Sequence, residues 1–223
     1  MTLNSLTMGF LDIWGMGNRP MFRSIEHLFL RPGYMIRDYL AGHHLRYFPP
    51  FKMLAVLTVL LALAVWLRGA EESLSLWSPG AIDDAFLGYR LSAVLGYFHD
   101  HTLYRLLLQN VYVVLAAWIV FRRCGLNLVE TTFSQIYINC QMLVVAILWV
   151  LFTGTIIVAE ILPYAVPRII ALLLLFYDFH QLYHLKPWAT IWRMLLVILL
   201  ATLMFTVGIY TLVIIFGIYN SIM

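Results

Sequence analysis

The sequence predicts an all-α fold: a polytopic integral membrane bundle of about five transmembrane helices, N-in/C-out, with an interfacial helical region in front. Three observations carry this. Of 223 residues, 63% are hydrophobic and only 11% charged, with mean hydropathy +0.88, too few charges for the polar shell of a soluble domain. Apolar runs long enough to cross about 30 Å of hydrocarbon recur along the chain. The basic residues also fall unevenly between those runs, as membrane anchors do. Helices are the expected form because lipid cannot satisfy an open backbone. The net charge of +3 is too modest to suggest nucleic acid.

The start, MTLNSLTMGFLDIWGMGNRP, has no basic residue before Arg19 and no clean apolar core, so it reads as a poor signal peptide. Met21–Leu30 puts Phe22, Ile25, Leu28 and Phe29 on one helical side, opposite Arg23 and Glu26. Pro32 can open a second short helix and Gly42 stop it. Pro49-Pro50 removes two backbone donors and stiffens the entry to the first span. The expected spans are Phe51–Leu67, Leu103–Phe121, Ile136–Ala159, Ile161–Tyr183 and Ile191–Tyr219, with Pro187 separating the last two. Between the first two spans, Ser78 to His101 has helical spacing of Ile82, Phe86, Tyr89, Ala93 and Tyr97, and reads as an amphipathic helix on the outer surface. Residues 1–50 form a cytoplasmic interfacial motif region and 51–223 the transmembrane domain.

Orientation follows from charge. With the N-terminus inside, the inner segments hold Arg19, Arg23, Arg31, Arg37, Arg46, Lys52, Arg122, Arg123, Lys186 and Arg193, and the outer ones Arg68, Arg90, Arg105 and Arg168. Ten against four obeys the positive-inside rule. A bacterial inner membrane is the expected location. The basic inner face suits anionic lipid headgroups, each cation being worth about 1 kcal/mol near an anionic leaflet.

The stretch LRPGYMIRDYLAGHHLRYFPPFKML resembles the core motif of the uncharacterised membrane-protein family known as domain of unknown function 3667. The matching positions are Arg31-Pro32-Gly33, Tyr39-Leu40-Ala41-Gly42, Arg46-Tyr47 and Pro49. Many relatives open with a four-cysteine zinc ribbon; this chain has two cysteines, Cys124 and Cys140, so no role of that ribbon carries over. The resemblance implies the architecture and no activity. The motif residues Arg31, Pro32, Gly33, Arg37, Asp38, Tyr39, Gly42, Arg46, Tyr47 and Pro49 are the expected lipid- or partner-facing site. The two cysteines read as inert thiols.

Polar groups in or near lipid ask for partners. Gln135, Asn139, Asp178 and His180 form a candidate cluster near the inner ends of the third and fourth spans, with Lys186, Arg193 or the motif arginines available to neutralise Asp178. The Gln135/Asn139 pair reads most simply as glue between helices. His180 and His184, four apart, would share one helix face and could offer two imidazoles to a metal, with His43, His44 or Asp38 completing the set. No cofactor is expected otherwise. No catalytic triad, phosphate-cradling glycine loop or internal repeat stands out. Three functions follow: a membrane scaffold or accessory subunit meeting lipids, a membrane partner or its own copies; a small transporter or channel subunit acting as a homo-oligomer; and a metal-assisted enzyme acting on lipid headgroups.

Overall fold

A computed structural model describes residues 20–69, 71–73, 102–157 and 167–222. The segment read as an outer amphipathic helix lies outside them. The described elements are α1 (Pro20–Leu30), α2 (Pro32–Leu40), a 3₁₀ turn (His44–Arg46), α3 (Pro50–Arg68), β1 (Glu71–Ser73), α4 (Thr102–Phe121), a second 3₁₀ turn (Arg122–Cys124), α5 (Leu128–Thr153), β2 (Thr155–Ile157), α6 (Arg168–Tyr183) and α7 (Pro187–Ile222). Among the described residues the regular structure is helical apart from one parallel ladder of three rungs, Glu71 opposite Thr155 to Ser73 opposite Ile157.

Among the described residues, three stretches are long and apolar enough to cross a membrane: His44–Arg68, Leu128–Thr153 and Pro187–Thr211, with mean hydropathies of 2.1, 2.0 and 2.3. The first and last bury little of their apolar windows inside the protein, so Val59, Trp66, Leu199 and Val207 point outward. That is the pattern of helices whose solvent is lipid.

Helix ends depart from the sequence expectation for local reasons. α5 starts eight residues before Ile136, because Asn127 and Glu130 make a capping box in which the Glu130 carboxylate accepts the Asn127 N–H at 2.7 Å. It stops at Gly154, whose φ of 71° ends the helix in the left-handed region. α6 begins at Arg168, after Pro167, and is only 16 residues long. α7 begins at Pro187 itself, the residue expected to separate two spans, since proline at the first helical position loses no hydrogen bond.

Adjacency then follows. The parallel ladder joins the residues just after α3 to those just after α5, so both helices run the same way and leave at the same end. Short turns make α4–α5 and α6–α7 antiparallel pairs. The core runs through Met53, Val56 and Leu57 of α3, Ala116, Ala117 and Phe121 of α4, Tyr137, Ile138 and Met142 of α5, and Leu175, Phe179 and Leu182 of α6.

The two short helices before the motif turn, α1 and α2, are part of this core, not an appendage. Leu28, Met35 and Ile36 are at most 1% exposed. Gly33 lies on the backbone of α6: a Cβ there would collide with the Gln181 carbonyl carbon and the Leu182 nitrogen, and would stand 2.6 Å from the Gln181 Cβ. Tyr177 reaches back from α6 to donate its hydroxyl to the Leu30 carbonyl at 2.7 Å. Gly33→Ala therefore forces α2 off α6, and overpacking of this kind costs about 1–3 kcal/mol. A thermal melt of the detergent-solubilised protein is expected to show a lower Tm for this variant, whereas Gly42→Ala, where no atom lies within 4 Å of the added carbon, probes the backbone strain of φ +100° alone.

Candidate functional site

The motif is built around a stretch of backbone that cannot satisfy itself. Tyr47 and Phe48 are 4% exposed and precede two prolines, so neither helix nor strand pairs their peptide groups. Buried backbone N–H and C=O groups nevertheless need partners. Two side chains supply them. The Phe48 N–H donates to Ser24 Oγ of α1 at 2.8 Å, and the Phe48 carbonyl accepts the Tyr137 hydroxyl of α5, also at 2.8 Å. Phe48 is thus tied on one side to the interfacial helix and on the other to a membrane-length helix.

Around this clamp runs a directional chain of hydrogen bonds. Arg31 Nη2 is 3.3 Å from His27 Nε2; arginine can only donate, so Nε2 accepts. The His27 proton then sits on Nδ1, 3.3 Å from the Tyr47 hydroxyl, and Tyr47 donates to Asp38 Oδ2 at 3.1 Å. The order Arg31 to His27 to Tyr47 to Asp38 uses every group in a role it can fill, and requires a neutral imidazole. Burial, and next the Arg31 charge, hold the His27 pKa below its ordinary value of 6.5.

Tyr39 is the motif's aromatic contact with the bundle. Its ring stands 5.3 Å from Tyr137 and 4.5 Å from His44, both edge-on, and burial pushes its pKa up. Pro32 and Gly33 are buried, while Arg31, Asp38, Gly42, His43, His44, Arg46 and Pro49 are exposed and Arg37 is half-buried. Between His44 and Arg46, Leu45 is 98% exposed. The motif therefore divides into an inner set that builds the fold and an outer rim of cations with one protruding leucine.

The intramembrane polar residues do not collect into one cluster. Asn139 donates to Asn110 of α4 at 2.8 Å, a bond between neighbouring helices. Gln135 is buried with its carbonyl oxygen unpartnered. Asp178 is fully buried, and neither carboxylate oxygen has a hydrogen-bond partner among the described residues. Lys186, Arg193 and the motif arginines do not act on it; the polar group facing it is Gln141 of α5, itself fully buried. Arg193 bonds elsewhere, to Cys124.

The two histidines do not share a helix face. α6 ends at Tyr183, and His184 turns into the left-handed region with φ 49°, where its ring lies 5.4 Å from Tyr34. His180 stays on the helix, parallel to Phe176 at 5.8 Å. Among the described residues, no three His, Cys, Asp or Glu side chains come together as a metal site. A spacing of four makes a pair only while the helix continues.

Sequence reasoning missed Ser24, His27, Tyr137 and Gln141. His27 carried a usable signal, since it stands one helical turn before Arg31. Gln141 interrupts an apolar run, but only packing shows that it, not Gln135 or Asn139, meets Asp178.

Residues 19–62 match the family described as protein of unknown function (DUF3667). The match takes in α1, α2, the whole motif and most of α3, so the resemblance carried by the motif residues holds over that segment. No curated protein and no solved structure matches the chain.

The hydrogen-bond chain sets a pH dependence. The folded His27 pKa lies below the unfolded value, so the folded state binds fewer protons between the two. Its stabilising contribution is present above pH 6.5 and is lost as pH falls through the folded pKa. Tm measured from pH 7.5 to 5.0 is expected to drop more steeply for the wild type than for His27→Gln.

Proposed function

We propose that the protein is a multi-pass component of a bacterial inner membrane, N-in/C-out with about five spans. Its motif region acts as a rigid basic platform for anionic headgroups, in the manner of a scaffold or accessory subunit. The observation that carries this reading is the division of the motif. The inner set is locked to α5 and α6 by the Phe48 clamp and the Gly33 contact, while Arg37 and Arg46 spend only backbone groups on hydrogen bonds with the described residues and keep their guanidinium groups at the rim, Arg37 half-buried and Arg46 exposed. Arginines on a fixed surface are well suited to phosphate oxygens, and Leu45 beside them extends an apolar side chain toward the acyl region.

Topology supports the orientation. The motif, the Arg122–Cys124 turn, and the turn between α6 and α7 meet at one end of the bundle, through Tyr137 with Phe48, Tyr34 with His184, and Arg193 with Cys124. That end therefore gathers Arg31, Arg37, Arg46, Lys52, Arg122, Arg123, Lys186 and Arg193. Arg68 lies at the other, near Gly154. The fourth and fifth spans of the proposal are α4 and α6.

Two experiments test it. Native mass spectrometry from mixed phosphatidylglycerol–phosphatidylcholine nanodiscs is expected to show preferential retention of phosphatidylglycerol. At about 1 kcal/mol per cation, the preference falls about 30-fold in the Arg37→Gln/Arg46→Gln double variant. Equal retention by both proteins would refute the platform. Single-cysteine accessibility mapping that finds residue 23 labelled from outside would overturn the orientation.

One observation favours a second reading, permeation of an ion or small molecule through a homo-oligomer. Asp178 and Gln141 face each other, fully buried and without a cation among the described residues, and such a group is costly inside a membrane unless it has work to do. Asp178→Asn is expected to change flux in proteoliposomes while leaving assembly intact. Absence of flux in the wild type across ions and small metabolites removes this reading.

A further inference from the structure

Arg31 differs from Arg37 and Arg46 in what its guanidinium does. It is an exposed residue, yet Nη2 donates to His27 Nε2 at 3.3 Å instead of standing at the rim. Its backbone is fixed on both sides. The Arg31 N–H bonds the His27 carbonyl at 2.8 Å, and the Arg31 carbonyl accepts the Met35 N–H at 3.0 Å. Only the side chain is able to swing, and what holds it is the lone pair on one nitrogen of an imidazole.

That lone pair is also where a proton goes. The other ring nitrogen, Nδ1, already carries its hydrogen toward the Tyr47 hydroxyl at 3.3 Å, and Tyr47 donates to Asp38 Oδ2 at 3.1 Å. A protonated ring has a donor at each nitrogen and no acceptor. Nε2–H would then face the N–H groups of Arg31, cation against cation across 3.3 Å, a distance at which like charges repel. The guanidinium has to leave. The imidazolium keeps its place, because Nδ1–H still has Tyr47 and, behind it, the Asp38 carboxylate to offset the new charge. The net result is one cation moved from the hydrogen-bond chain to the rim.

The surroundings set the resting state. The charged and titratable groups acting on His27 are Arg23 and Glu26 of α1, which oppose each other, Arg31 at the junction, Asp38 of α2 and Tyr47 of the turn into α3. Burial, and next the Arg31 charge, hold the imidazole pKa below 6.5. At neutral pH the lone pair is therefore available and Arg31 is bound. The bond is lost as pH falls through the folded pKa.

We propose that His27 is a proton-operated latch on Arg31, and that Arg31 is a further arginine of the platform, delivered to headgroup phosphates when the medium turns acidic. This inference rests on the reading of the motif rim as a platform for anionic headgroups. A released guanidinium offers a phosphate two parallel N–H donors, which it cannot do while one of them is held by His27. Protonation and headgroup binding are then linked, so a headgroup that takes Arg31 also raises the His27 pKa. A released Arg31 that turned to Asp38 instead would leave headgroup affinity as it was.

The test measures phosphatidylglycerol retention from mixed phosphatidylglycerol–phosphatidylcholine nanodiscs equilibrated at pH 7.5 and 5.0. It uses the full chain carrying His43→Gln/His44→Gln, so that the other rim imidazoles do not contribute, at a temperature where circular dichroism shows each protein folded. Phosphatidylglycerol keeps its phosphodiester charge over this range. The preference is expected to rise about fivefold on acidification, the value of one cation near an anionic leaflet. It is expected to stay flat in Arg31→Gln, and in His27→Gln, whose amide accepts from Arg31 at both pH values. His27→Lys has no acceptor and is expected to show the high preference already at pH 7.5. Replacing phosphatidylcholine by phosphatidylglycerol is expected to raise the His27 titration midpoint, read by histidine NMR, by about 0.7 pH unit more than in Arg31→Gln. A preference for phosphatidylglycerol that is equal at both pH values overturns the latch and leaves the platform standing. No preference at either pH overturns both. A rise that persists in Arg31→Gln, or His27→Lys behaving like His27→Gln, overturns the release of Arg31.

Discussion

The peptide group of Phe48 is the point on which the arrangement depends. Pro49 and Pro50 stop the chain from joining any regular hydrogen-bonded structure, yet Tyr47 and Phe48 are pressed into the interior. The N–H and the carbonyl of Phe48 are satisfied from opposite directions, by Ser24 and by Tyr137. An unmade bond in such a place costs about 1–3 kcal/mol. The clamp therefore joins three things that lipid alone would leave loosely associated: the interfacial helices, the start of α3 and the middle of α5. Between helices in lipid the hydrophobic effect offers little drive, so close packing and hydrogen bonds carry more of the association. Gly33 against α6 and Tyr177 on the Leu30 carbonyl extend the same logic to the next helix.

From this constraint follows the division of labour in the motif. Its residues look alike in sequence, a mixture of arginines, tyrosines, prolines and glycines. In space they separate by which partner they can reach. Arg31, Tyr47 and Asp38 are drawn into one donor-to-acceptor chain through His27, and this chain holds the extended entry to α3 against α1 and α2. Arg37 and Arg46 have no such partner and are left to whatever lies outside. On the proposed reading, a platform fixed in this way would not have to order its cations when a phosphate arrives, so less conformational entropy would be lost on contact.

The same end of the bundle carries the hydrogen bond from Arg193 to Cys124. It is assembled by different helices and without the clamp. The motif rim presents fixed charge, whereas Arg193 is held by Cys124 and lies over the Phe121 ring. Asp178 and Gln141 are a third polar feature, inside the bundle between α5 and α6. The long apolar helices hold these features at their separate positions.

The sequence alone determined the helical class, the membrane character, the interfacial helices at Met21–Leu30 and after Pro32, and the identity of the motif. These rest on local quantities, such as apolar run length, helical spacing and the fixed φ of proline, that neighbours in space hardly alter. α3 matches its expected span almost residue for residue, because Pro50 opens it and Gly69 ends it. What only the tertiary structure decided is which polar groups meet. His180 and His184 look like a pair until the helix ends between them. Asp178 looks paired to Lys186 or Arg193 until Arg193 is found on Cys124 and Gln141 on Asp178. Gly33 is expected among the lipid- or partner-facing motif residues until α6 lies against it. Sequence spacing fixes the direction of a side chain only within one helix. Contacts between helices depend on their rotation and depth, which are set by the packed core and by the backbone groups that have to be satisfied there.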